Sequence, residues 1–261
     1  MDVILITGAT GLLGSSLVPY LKKQGYKVVT HANTRLANIN FDLSNKESTF
    51  NFLNETRPKV IINLVSLTNV DLCEERKELA YLANTKTVEN LADWIAAKDA
   101  GCHLIQISTD HVYDGIGPNV EDAVNITNTY ALTKYSAESA ASRVPCTILR
   151  TNFVGPSKVS YRDSLTDWVY KSIKNNQKIE VLTDVYFSPL SISRLLEVIE
   201  AIIKLKPTGI FNAGSRNGMC KADFDIEFTE RLNLSTSNIQ RLTTDEAMFL
   251  KTYRPKDMRM D

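Results

Sequence analysis

The feature that most constrains this chain is its rhythm. Short β-branched runs alternate with longer stretches of helical periodicity, and a glycine-rich turn joins the first run to the first helix. The strands read as Val3–Thr7, Lys27–Thr30, Val60–Leu64, His103–Ser108 and Cys146–Arg150. Apolar spacing predicts helices over Leu12–Gln24, Lys46–Arg57, Glu74–Ala97 and Tyr130–Ser142, with Gly25 stopping the first and Pro58 breaking after the second. This alternation specifies an α/β fold, a doubly wound parallel sheet covered by helices on both faces, which binds its ligands beyond the carboxyl ends of the strands.

After Arg150 the rhythm changes. Pro156, Pro189 and Pro207 punctuate a mixture of helices and short extended pieces, and Ile192–Leu205 has the spacing of one more amphipathic helix. The expected division is a main domain over residues 1–150 and a small substrate-facing lobe over 151–261, with the helix near 191–205 returning to cover the sheet.

At 261 residues, 43% hydrophobic and 23% charged, the chain can bury a sizeable core and is far from disordered compositions. Its formal net charge is zero, so no global field recruits nucleic acid or an acidic membrane, and an anionic ligand must be met locally. Cys73, Cys102, Cys146 and Cys220 lie far apart with no C-x-x-C pair, which argues against a structural metal site and for free thiols in a reducing cytoplasm. The apolar start, Val3 to Ile6, follows Asp2 and lacks the basic flank of a signal peptide, and no apolar run approaches the ~20 residues that span a bilayer. A cytoplasmic protein is expected.

The turn reads Thr7-Gly8-Ala9-Thr10-Gly11-Leu12-Leu13-Gly14. Its three glycines serve a tight turn, a close backbone approach to a pyrophosphate, and close packing of helix on strand. The helix that follows offers free N–H groups and a partial positive charge to an anion. Lone glycines are weak signals, but three of the chain's eleven fall in this seven-residue strand-turn-helix context, which points to a dinucleotide. An acid at the end of the second strand would bind the ribose 2′-hydroxyl of NAD and repel a 2′-phosphate. That segment reads Val29-Thr30-His31-Ala32-Asn33-Thr34-Arg35, with no acid and with His31 and Arg35 available to a phosphate. NADPH is therefore favoured, with NADH open.

The fourth strand runs out as Ile105-Gln106-Ile107-Ser108-Thr109-Asp110, and farther on comes Asn128-Thr129-Tyr130-Ala131-Leu132-Thr133-Lys134. Tyr130 and Lys134, four apart, share a helical face. A phenol with its usual pKa near ~10 transfers protons poorly at neutral pH, and an adjacent ammonium would lower it. Lys134 would also reach the cofactor ribose, while Thr109 would hold a substrate carbonyl for hydride attack. With ten tyrosines a Y-x-x-x-K match arises by chance about once, and Tyr170/Lys174 is another. Only Tyr130 follows a strand ending in Ser-Thr and opens a helix, so Tyr170/Lys174 reads as a surface decoy.

Together these features resemble the extended short-chain dehydrogenase/reductase superfamily, with its Rossmann-type domain, and within it the dTDP-4-dehydrorhamnose reductase family. The matching stretches beyond the turn, Tyr130 and Lys134 are Ile62-Asn63 through Thr68, Val70-Asp71 with Glu74, and Ile107 through Gly115. Arg150-Thr151, Ser188-Pro189 and the tail from Arg254 to Asp261 also match. The resemblance implies reduction of the carbon-4 ketone of a nucleotide-linked deoxysugar by Thr109, Tyr130 and Lys134. It further implies that Gly8, Thr10, Gly11, Leu12, Leu13 and Gly14 hold the cofactor diphosphate, that Asp42 and Leu43 approach the adenine, and that Asn63, Leu64, Val65 and Ser66 approach the pyrophosphate and ribose. Thr68, Asn69, Val70, Asp110 and Phe153 would face the sugar or its nucleotide. The family often carries small alanines where Leu64, Val65 and Ser66 stand, and a Trp at Phe153, which bears on the particular sugar.

Two competitors share these motifs. A sugar-nucleotide epimerase or epimerase-reductase would need an extra acid and base, with Asp110 where a related branch has Cys, and His111 the substitute at hand. A non-catalytic regulatory subunit, similar to that of methionine adenosyltransferase, would keep the fold without the chemistry. The expected partner is a nucleotide sugar; a homodimer stays open, and neither nucleic acid nor membrane is expected.

Overall fold

The computed structural model of the protein describes residues 2–33, 37–98 and 101–261. The first half alternates as the sequence predicts. It runs β1 (Val3–Thr7), α1 (Gly14–Lys23), β2 (Lys27–Ala32), β3 (Ile39–Asn40), α2 (Lys46–Thr56), β4 (Val60–Asn63), α3 (Val70–Glu75), α4 (Lys77–Tyr81), a π-turn (Leu82–Lys86) and α5 (Thr87–Lys98). It continues through β5 (His103–Ile107), a 3₁₀ turn (Asp110–Val112), α6 (Thr129–Ala141) and β6 (Cys146–Thr151). The second half contains β7 (Phe153–Val154), α7 (Leu165–Lys174), β8 (Ile179–Leu182), β9 (Tyr186–Phe187), β10 (Leu190–Ser191), α8 (Ile192–Leu205), β11 (Gly209–Ala213), β12 (Met219–Cys220), α9 (Lys221–Arg231) and β13 (Ile239–Leu242).

Seven strands form one sheet in the order β11-β6-β5-β4-β1-β2-β3, every neighbouring pair parallel. Because side chains alternate across a strand, Ile4 and Ile6 face one side and Leu5 the other. Ile4, Ile6, Ile62 and Ile105 pack under Leu17 and Leu21 of α1 and Leu195, Ile199 and Ile203 of α8. Leu5, Ile61, Leu104 and Ile148 pack under Leu53 of α2, Trp94 of α5 and Ala137 of α6. The helix over 192–205 thus lies on the main sheet, and β11, which the periodicity did not single out, extends that sheet beside β6. The rest of the later chain forms its own small cores, one around Val169, Ile179, Val181 and Ala222 and another around Val185, Phe187 and Met258.

The predicted helix Glu74–Ala97 is broken. Arg76 leaves the helical region at φ −129° and ψ 64°, and the π-turn widens the helix farther on. Asn84, fully buried in that turn, accepts from the Leu67 N–H at 2.7 Å and donates to the Thr133 hydroxyl at 3.0 Å. The local distortion therefore ties the loop after β4 to α6, a common use of a π-turn near a site.

Candidate active site

The carboxyl ends of β1, β4, β5 and β6 open into a cleft of about 540 Å³. One wall is the turn between β1 and α1, with Gly8, Thr10, Gly11, Leu12, Leu13 and Gly14 all lining the cleft. Gly8 has φ +65°, and a Cβ added there would stand 2.9 Å from the Leu64 carbonyl carbon; one at Gly14 would stand 2.5 Å from the Ala9 carbonyl oxygen. The turn is shaped by backbone approach that side chains would block, which fits a cradle for a dinucleotide's diphosphate.

The opposite wall carries the proton chemistry. Asn128 caps α6 by accepting from Ala131 N at 2.9 Å, and Glu74 accepts from Thr129 N at 3.1 Å, so Tyr130 enters the cleft from a fixed first turn. Tyr130, Lys134 and Thr109 line the same cavity, all less than a tenth exposed. Burial pushes the Tyr130 phenol up to about 12, against the opposing pull of the Thr109 and Ser66 hydroxyls. Burial likewise brings Lys134 down to about 8, with Glu138 opposing. The Lys134 ammonium donates to the Ile107 carbonyl at 2.7 Å. The expected acidification of the phenol by that amine is outweighed here: desolvation dominates, and the amine's near partner is a backbone oxygen.

Beneath this wall lies a buried ion pair. Arg150 and Glu138 meet at 2.6 and 3.0 Å, Ser108 donates to the same carboxylate, and Arg150 also donates to the Tyr113 hydroxyl at 2.8 Å. These contacts fix the end of β5 against α6, one turn from Lys134. Asp110, buried and held at about 6 chiefly by desolvation, accepts from Asn152 Nδ2 at 2.9 Å. The His111 ring stands edge-on to Tyr130 with centroids 5.3 Å apart, and burial lowers it to about 3, so it is neutral.

Of the other expected residues, Leu64, Val65, Ser66, Thr68, Asp110 and Phe153 line the cleft. Asn63 lies beneath it, fully buried, accepting from Thr7 Oγ1 at 2.5 Å and donating to Gln106 at 2.8 Å, so it clamps three strand ends. Asn69 caps α3 and Val70 packs with Cys73, Ala80 and Tyr130, both outside the cleft lining. Asp42 is exposed and accepts from Ser44 N, while Leu43 is a core residue of the α2–α5 side.

His31 departs most from expectation. Its side chain is 1% exposed, hydrogen-bonded through Nε2 to the Phe41 carbonyl at 2.9 Å and packed edge-on against Phe41, so it does not face a phosphate. Ala32 and Asn33, where β2 ends, line the cleft instead. Arg35 lies outside the described residues.

Sequence reasoning did not single out Asn152, Tyr161 and Arg162, which also line the cleft. The latter two sit in an irregular loop with no periodicity to mark them. Tyr170 and Lys174 bond to each other at 2.9 Å on the exposed side of α7, away from the cleft.

Known proteins resemble the chain along its length. It is 28% identical over 254 residues to the spore coat polysaccharide biosynthesis protein SpsK of Bacillus subtilis, covering 94% of this chain and 84% of that one. A crystal structure of a dTDP-4-dehydrorhamnose reductase from Clostridium acetobutylicum superposes with a TM-score of 0.88 at 29% identity, covering 99% of this chain and 90% of that one. The dTDP-4-dehydrorhamnose reductase of Bacillus anthracis, solved in complex with NADP, shares the fold with a TM-score of 0.88 at 24% identity, covering 100% and 90%. The family described as the RmlD substrate binding domain matches residues 1–261, and the chain belongs to that family.

Proposed function

We propose that this protein uses NADPH to reduce the 4-keto group of a nucleotide-activated deoxysugar, as its reductase relatives do for dTDP-4-dehydrorhamnose. The reading is carried by the meeting of Thr109, Tyr130 and Lys134 with the glycine turn in one cleft. Residues 1–150 supply most of the cofactor wall, and the chain beyond 151 supplies the sugar-nucleotide side through Asn152 and Phe153. No helix among the described residues is long and apolar enough to cross a membrane. All four cysteines are buried thiols outside any disulfide, which supports a reducing, cytoplasmic setting.

A reduced dinucleotide, held by its diphosphate at the glycine turn, would supply the hydride for the carbonyl carbon. Thr109 donates to the ketone oxygen and fixes its direction. Tyr130, protonated at neutral pH because burial holds it near 12, gives its phenolic proton to the oxygen as the alkoxide forms. Lys134 then stabilises the phenolate left behind until solvent restores the proton. Neutral His111 packs against the Tyr130 ring and limits its rotation.

The test is a spectrophotometric scan of NADPH and NADH oxidation with dTDP-4-dehydrorhamnose and other 4-keto sugar nucleotides. Oxidation of NADPH with at least one of them is expected. Tight NADPH binding without turnover of any panel member would overturn the reading in favour of a regulatory subunit.

A further inference from the structure

The proposed reaction brings two diphosphates to one cleft, that of the cofactor and that of the sugar nucleotide, and the glycine turn accommodates one. The other must be met locally, because the chain carries no net charge to attract it, and a cation in the cleft is the strongest local partner. Among the described residues lining the cleft the basic groups are Lys134, His111 and Arg162. Lys134 is buried on the Ile107 carbonyl beside the phenol, and His111 is neutral. The nearby helix start is already partly occupied by an acid of its own. Ser164 and Asp167 close a capping box over the first turn of α7, which takes up the Ser164 and Asp167 N–H groups and sets the Asp167 carboxylate at that helix start.

Arg162 has the complementary situation. It sits on the loop between β7 and α7, exposed at the cleft mouth, and its Nη2 donates to Thr68 Oγ1 at 2.9 Å across the opening. Its neighbour Asp163 is paired with Lys171, and among the described residues no carboxylate forms an ion pair with Arg162. The loop that presents it is built. Asp167 accepts from Ser157 N at 2.8 Å and Ser164 N at 3.0 Å, pinning the two ends together, and the Tyr161 hydroxyl donates to the Thr10 carbonyl of the glycine turn. A guanidinium held at a cleft mouth by a neutral hydroxyl has donors to spare, and its planar fork matches paired phosphate oxygens.

We propose that Arg162 grips the diphosphate of the nucleotide-sugar substrate, exchanging its Thr68 contact for phosphate oxygens, and so selects nucleoside diphosphate sugars over free or monophosphorylated ones. This rests on the reductase reading, yet it can fail separately. The experiment titrates dTDP and dTMP into NADP⁺-loaded wild type, Arg162→Ala and Arg162→Lys by calorimetry, with NADP⁺ titrated into each unloaded protein. Wild type is expected to prefer dTDP to dTMP. Arg162→Ala is expected to weaken dTDP by about 10–100-fold, the span of a lost charge-assisted hydrogen bond, and to erase that preference. NADP⁺ affinity should stay within about twofold, Arg162→Lys should recover part of the loss, and KM for the sugar nucleotide should rise more than kcat falls.

The inference is overturned by dTDP affinity independent of Arg162, by no dTDP binding to wild type, or by NADP⁺ affinity falling in step, which would give the cation to the cofactor. An Arg162-dependent dTDP site in a protein that reduces no 4-keto sugar would leave this inference standing and remove the reductase reading. Turnover with Arg162-independent binding would do the reverse.

Discussion

The two ends of the cleft differ in how finished they are. At the glycine turn, recognition is written in the backbone: Gly8, Gly11 and Gly14 hold a shape set by close backbone approach. At the Tyr130 end the groups are assembled but burial sets their protonation, with the phenol pushed up to about 12 and the ammonium on a backbone carbonyl. Backbone shape is fixed by folding, whereas the proton affinity of a buried phenol and amine shifts with any charge that enters the cleft. If that contrast is right, substitutions at one end should change chemistry without binding, and at the other binding before chemistry.

The largest expected effect is at the phenol. Tyr130→Phe keeps the ring packed against His111 and removes only the hydroxyl with its proton. Turnover should fall by on the order of 10²–10⁴-fold, while NADPH affinity in a fluorescence titration stays within about threefold. Retained turnover would break the comparison at its chemical end. At the backbone end, Gly14→Ala forces a Cβ to 2.5 Å from the Ala9 oxygen, so the turn must open. It should cost about 1–3 kcal/mol in urea unfolding and weaken NADPH more than about tenfold. Gly25→Ala is the control, since φ is +86° there but nothing lies within 4 Å, and only about 1–2 kcal/mol of backbone strain should appear, with cofactor binding unchanged.

The same divide separates what the sequence disclosed from what it did not. The strand-turn-helix with Gly8, Gly11 and Gly14, the sheet carrying it, and the pairing of Tyr130 with Lys134 were legible because each is a spacing rule acting over a few residues. Contacts made by chain segments far apart were not. Asn84 reaches the Leu67 and Thr133 groups from a π-turn that periodicity reads as plain helix. The edge strand β11 carries a glycine start and an unremarkable composition, and its place beside β6 is decided by the fold. The side His31 faces depends on the register of β2, and a polar residue at a strand end looks exposed until that register is known. Arg162 lies in a loop whose route across the cleft no local pattern encodes.

A smaller effect probes whether the chemical end is held at a cost in stability. Burial raises Asp110 from 3.8 to about 6 in the folded protein. The folded state therefore binds the carboxyl proton more tightly than the unfolded chain does, and the associated stability is complete below the unfolded value and is lost as pH rises through about 6. Two pKa units bound the loss at about 3 kcal/mol. Asp110→Asn, which still accepts from Asn152, should be more stable than wild type by about 1–3 kcal/mol in urea at pH 7.5, with the gain shrinking toward pH 4. A gain independent of pH would mean that shape, not charge, sets the cost.

The smallest expected effect is a null result on cofactor choice, and it sharpens the backbone end. If the 2′-phosphate is met by the turn region and not by His31, removing that imidazole should disturb the core alone. His31→Leu leaves the Phe41 carbonyl without its ring partner, a loss of about 1–2 kcal/mol in thermal or urea unfolding. The ratio of NADPH to NADH affinities should nevertheless move by less than about twofold, because a side chain 1% exposed under Phe41 cannot reach a ligand without unpacking β2 from α2. Both affinities falling together would still fit, since a loosened β2 loosens the cradle for either cofactor. A selective loss of NADPH affinity of about tenfold would show that the imidazole leaves the core when the phosphate binds, and would make the backbone end as dependent on its ligand as the phenol is.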